Sequence, residues 1–169
     1  VEVLATTDAA TDELAWHSQL LDSGWDGNVI TTYRPDATID PEFEGFAANL
    51  ARLGELTGED TSSWTGYLAA HRARRAFFKS FGATATDHGH PSSRTANLPP
   101  AEAETLFSRI ITGSGSTEDA DLFRGQMLTE MARMSLDDGL VMQIHPGSRR
   151  NHSPDVLSRH GRDMGFDIP

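Results

Sequence analysis

The chain has 169 residues, 37% of them hydrophobic and 23% charged, with 15 glycines and 8 prolines. That is the make-up of one folded domain without a low-complexity tract, long enough to bury a core. It has no cysteine, which excludes a disulfide framework and thiolate metal ligands, and a cytoplasmic setting is expected. A formal charge of -11 opposes nucleic acid and anionic membrane surfaces, so neither is an expected partner. A small anionic ligand stays compatible with that charge where arginines converge locally.

Residues 1–6 read as a strand ending in Thr7-Asp8, and residues 12–21 as a helix closed by Gly24. A second strand at 28–32 runs into Tyr33-Arg34-Pro35-Asp36. Asp40 is expected at an N-cap with Pro41 in the first helical turn, where proline costs least. Phe43, Phe46, Ala47, Leu50, Leu53 and Leu56 follow at helical spacing, so one face of that helix is expected to be buried, and Gly58 stops it. A further helix from Ser62 or Ser63 to Lys79 carries Trp64, Tyr67, Leu68, His71 and Phe78.

A third strand at 83–86 emerges into Asp87-His88-Gly89-His90. Pro99-Pro100 opens a helix through Ile111, and the run from Gly113 to Gly115 breaks it. Residues 119–136 carry Leu122, Met127, Leu128, Met131 and Met134, a stripe that reads as core packing rather than a cofactor contact. The last strand spans 140–144 and enters His145-Pro146-Gly147, and a helix at 155–164 follows.

Strands separated by helix-length connections signal parallel β/α units. Four units are counted, whereas an eight-unit barrel needs about 250 residues. The expected architecture is α/β, part of a (β/α)8 TIM-type barrel of about four units. Residues 1–169 are expected to form one partial barrel segment with no internal domain boundary, incomplete as an isolated chain. All four strand ends carry polar groups, where barrel enzymes keep their chemistry. Asp8 and Asp36 are explained equally well as N-caps of the helices that follow.

The strings "TTYRPD", "GATATDHGHPSSRTA", "FRGQMLTEMARMSLDDGLVMQIHPGSRRNHS" and "GRDMGFDIP" cover residues 31–36, 82–96, 123–153 and 161–169. They resemble the uronate isomerase (glucuronate isomerase) family of the amidohydrolase superfamily, across essentially the whole chain. The resemblance implies a (β/α)8 barrel that interconverts aldouronates and ketouronates, glucuronate with fructuronate and galacturonate with tagaturonate. It implies a divalent metal, zinc by expectation, whose main ligands are a His-x-His near the amino terminus of the family's chains and an aspartate after the last barrel strand. Neither lies in this sequence, which therefore resembles a central piece of the enzyme. That piece alone is expected to be inactive, and the full-length enzyme is expected to be a homo-oligomer.

Moving a carbonyl between C1 and C2 of a sugar needs a base, an acid and a group that stabilises enediol-like charge. Asp87 and His145 offer the first two. Arg34 offers a planar fork that can hold a uronate carboxylate or vicinal hydroxyls. Arg150 joins it as a substrate-binding candidate, because Arg150-Asn151 matches the family's recurrent Arg-Asn pair better than Arg149 does. His88-Gly89-His90 taken alone is a metal candidate, since residues two apart on a strand face the same way. Its context after Asp87 makes His88 a pocket-lining, substrate-binding candidate instead, with metal ligation the minor reading.

Blander roles stand beside these. Arg34 could bridge loop carboxylates, Asp87 could cap a turn, and His145 could pack satisfied under Pro146. His17, His71, His152 and His160 read as structural. Two other classes of function also stay open: a metal-dependent hydrolase of the same superfamily, and a non-catalytic piece of the fold.

Overall fold

A computed structural model of the chain describes residues 2–147, 151–161 and 164. Two short strand pieces, β1 (Leu4–Ala5) and β2 (Asp8–Ala9), lie parallel to β3 (Val29–Ile30) and β4 (Tyr33–Arg34) with one constant register, Leu4 beside Val29 and Ala9 beside Arg34. Backbone bonds from the amides of Leu4, Thr6, Asp8 and Ala10 to the carbonyls of Asn28, Ile30, Thr32 and Arg34 run through the gaps. Each pair of pieces is thus one physical strand. β5 (Ala85–His88) and β6 (Val141–Ile144) follow, and the order β2-β4-β5-β6 is parallel throughout. Neighbours in chain order, all parallel and separated by helices, make a segment of a (β/α) barrel.

The helices are α1 (Ala15–Asp22), α2 (Asp36–Ile39), α3 (Phe46–Thr57), α4 (Trp64–Ser80), α5 (Pro100–Ile111), α6 (Thr117–Asp138) and α7 (Pro154–His160). Their starts follow local chemistry. Ser63 caps α4 by accepting from the Gly66 amide, Pro100 occupies the first turn of α5, and Ser116 with Asp119 forms a capping box on α6. One apolar cluster joins the layers, with Tyr33, Leu53, Tyr67, Phe78, Phe107, Phe123 and the methionines Met127, Met131 and Met134 inside it. No helix among the described residues is long and apolar enough to cross a membrane.

Several boundaries differ from the sequence expectation. The third strand lies two residues further along than 83–86, so Asp87 and His88 sit within β5 rather than past its end. Asp40 is not an N-cap, and Pro41 is not in a first helical turn: Asp40 closes the unexpected one-turn α2, and α3 begins only at Phe46, after Gly45 in a left-handed conformation. The Asp40 carboxylate instead takes the Glu42 amide and the Arg124 guanidinium. Asp8 caps nothing either; α1 starts at Ala15, seven residues later and behind Leu14, and Asp8 accepts from the hydroxyls of Thr6 and Thr31 at 2.5 and 2.6 Å.

Candidate active site

Side chains alternate across a strand, so the register decides which residues meet. Tyr33, Thr86 and Met142 are partners across β4, β5 and β6 and share one face. That face looks toward the helices: the Tyr33 hydroxyl lies 2.7 Å from His71 Nδ1 on α4, and its ring meets Phe78 edge-on. The opposite face carries Arg34, Asp87, Gln143 and, one residue beyond β6, His145. It is the open face, on which Val141 and Gln143 are exposed.

Three adjacent strand ends thereby converge on one carboxylate. His145 Nε2 lies 2.9 Å from Asp87 Oδ1, and Arg34 Nη1 lies 3.5 Å from Asp87 Oδ2. Asp87 is 13% exposed at the floor of this line, whereas His145 is 44% exposed at its rim. The Arg34 Nε donates to Asp36 Oδ2 at 2.8 Å, and the Gly89 amide donates to both Asp36 oxygens at 3.1 and 3.2 Å. Gly89 has no room for a side chain, since a Cβ there would stand 2.6 Å from Arg34 Nη2, 2.9 Å from Asp36 Oδ2 and 3.1 Å from His145 Cε1.

His88 faces the other way, fully buried, with Nε2 2.9 Å from Thr86 Oγ1. Burial first, and then the neighbouring His90, pushes its pKa down to about 3, so the ring is neutral. His90 is shifted in the same direction by burial, against the pull of Asp36 and Asp40. Asp36, His88 and His90 each offer one ligand atom, all within 4.8 Å of one another, and among the described residues His88 Nδ1 and both His90 nitrogens lack a hydrogen-bond partner. Two imidazoles and a carboxylate suit a first-row divalent ion.

Of the residues singled out in the sequence, Arg34, Asp87 and His145 therefore meet in one line of charged and polar contacts. His88 lies beside that line on the buried side, and Arg150 lies outside the described residues. Asp8 belongs to a separate cluster with Thr6, Thr31 and, at 3.7 Å, His17. His90 was weighed only as a metal candidate within His88-Gly89-His90, and Asp36 only as a strand-end polar group or an N-cap; Pro35, not Asp36, stands at the N-cap of α2. Gly89's part in the site was missed, because a glycine's neighbours are set by three strands at once.

Parallel β/α units with charged groups gathered at the carboxyl ends of the strands define a barrel-type enzyme site. A family model described as glucuronate isomerase matches residues 1–169, and the chain belongs to that family. The uronate isomerases of Mesorhizobium japonicum and Rhizobium meliloti are 67% and 62% identical to it over all 169 residues. The chain spans 36% of the length of each of these curated relatives. A solved glucuronate isomerase from Caulobacter crescentus superposes with a TM-score of 0.96 at 55% identity, covering 100% of this chain and 35% of that one. A uronate isomerase from Thermotoga maritima gives 0.93 at 26% identity, covering 99% and 38%.

Proposed function

We propose that this chain supplies part of the active site of a cytoplasmic aldose–ketose isomerase acting on hexuronates. The reactions are D-glucuronate to D-fructuronate and D-galacturonate to D-tagaturonate. The observation that carries the proposal is the line Arg34–Asp87–His145 on the open face of the sheet; family membership supports it.

Converting the aldose to the ketose removes a proton from C2, places one on C1, and moves a proton from the C2 hydroxyl to the C1 oxygen. Asp87 is assigned the carbon-bound proton and His145 the oxygen-bound one, because an imidazole both donates and accepts near neutral pH. Their 2.9 Å contact orients the ring and lets one group answer a charge change on the other. Arg34 and Arg150 are assigned to the uronate carboxylate and adjacent hydroxyls, with Asp36 and Gly89 fixing the plane of the Arg34 fork. His88 contributes from behind, its carbonyl accepting the His145 amide at 3.0 Å. A divalent metal, zinc by expectation, supplies Lewis acidity toward the sugar oxygens when bound, with its main ligands assigned to barrel segments outside this chain.

The test is conversion of D-glucuronate by the protein at the length of its relatives and by this chain alone. Turnover is expected in the first case and none above a protein-free control in the second, because positioning and charge stabilisation need the whole site. No turnover in the first case, with D-galacturonate also inert, overturns the proposal.

A further inference from the structure

His88 and His90 are 0% and 5% exposed, and three of their four ring nitrogens have no partner among the described residues. Each such buried, unpaired atom costs about 1–3 kcal/mol, so three side by side call for a cause. The cause lies at the start of α2. There the Asp36 carboxylate comes to within 4.8 Å of a ligand atom on each ring.

The arrangement is that of a ligand set rather than of packed core histidines. Thr86 Oγ1 lies 2.9 Å from His88 Nε2, which fixes the ring and leaves Nδ1 without a partner among the described residues, the way metal-bound imidazoles are oriented by an outer partner. Asp36 takes hydrogen bonds from Arg34 and Gly89, yet a carboxylate has about four acceptor positions and can add a cation. Donors around zinc at about 2.0–2.1 Å stand roughly 3.4 Å apart in a tetrahedron. The three groups would close in by about an ångström, within the range of side-chain rotation.

We propose that Asp36, His88 and His90 form a divalent-cation site internal to this chain, taking zinc or a similar first-row ion with water completing the shell. The site ties the end of β5 to the start of α2 and so braces Asp36, the residue on which Arg34 rests. All three of its ligands lie in this chain, so it does not rest on the isomerase proposal.

The test is a count of ions, read without any substrate. Metal-stripped protein at the length of its relatives is titrated with Zn2+ by calorimetry and with Co2+ by visible absorption, as wild type, His90→Gln and Asp36→Asn. Each variant is expected to bind one ion fewer per chain than wild type, with unchanged circular dichroism. Equal ion counts in wild type and both variants overturn the proposal. Should a variant fail to fold, anomalous scattering from zinc-soaked wild-type crystals decides: a peak between Asp36, His88 and His90 supports the site, and its absence overturns it. Turnover of uronates does not enter either measurement.

Discussion

Arg34 and Asp36 stand two residues apart in the chain and close on each other through a 2.8 Å bond from Nε to Oδ2. Pro35 between them restricts the backbone on its amino side, so the fork is aimed before any ligand arrives. Lysine at position 34 keeps the charge and loses the paired geometry. In the protein at the length of its relatives, Arg34→Lys is expected to lower kcat/KM for D-glucuronate by about ten- to a hundredfold, or ~1.4–2.8 kcal/mol, with Arg34→Ala worse. The melting temperature is expected to hold. Wild-type kinetics in Arg34→Lys would make Arg34 a bridge between loop carboxylates and nothing more.

Gly89→Ala separates positioning from folding. The added methyl meets the ends of both Arg34 and Asp36, which must shift, so stability is expected to fall by about 1–3 kcal/mol without loss of the fold. The shift displaces the fork from Asp87, and turnover is expected to fall by at least tenfold. Thermal unfolding and steady-state kinetics on one preparation check both halves.

His71 gives the fold a pH dependence. It is fully buried against Tyr33, and burial first, then the positive Arg75, pushes its pKa down to about 3. An unfolded histidine titrates near about 6.5, so between these values the unfolded chain binds more protons. The contribution of neutral His71 is fully present above about 6.5 and declines as the pH falls toward 3, by up to ~1.4 kcal/mol per pH unit. Urea midpoints taken at about pH 7.5 and 5.5 are expected to drop in that direction, and less steeply in His71→Gln. Equal slopes in the two proteins would contradict this assignment.

Arg75 is fully buried and held bidentately by Asp138 at 2.6 and 2.9 Å, with Ser135 adding a third bond. Removing the partner strands a buried cation. Asp138→Ala is expected to cost about 3 kcal/mol or more in denaturant unfolding, with Ser135→Ala costing about 1.

The parallel β/α order was readable because apolar runs and helix-length connections alternate, and Ser63, Pro100 and the Met127–Met131–Met134 stripe behave as their local chemistry dictates. Asp40 and Asp8 misled for one reason. An aspartate beside a helix-forming stretch is a good N-cap, but here tertiary partners, Arg124 and the Thr6 and Thr31 hydroxyls, take the carboxylates instead. The two-residue shift of β5 was invisible because the apolar residues end at Ala85 and the polar Asp87-His88 reads as a strand end, whereas pairing with Val141 to Ile144 sets the strand's extent. Arg34, Asp87 and His145 could be proposed from strand ends. That all three share one face, with His88 on the other, is decided only by the register between three strands 53 and 56 residues apart.

The most direct test of the central claim is a double-mutant cycle on Asp87 and His145 in the protein at the length of its relatives, read as kcat for D-glucuronate. The two groups touch at 2.9 Å and are assigned one relay. Asp87→Asn and His145→Gln are each expected to lower kcat by about two to four orders of magnitude, and the double variant little further than the worse single one. Near wild-type turnover in either single variant, or losses that simply multiply in the double, would contradict a shared acid–base role for the pair.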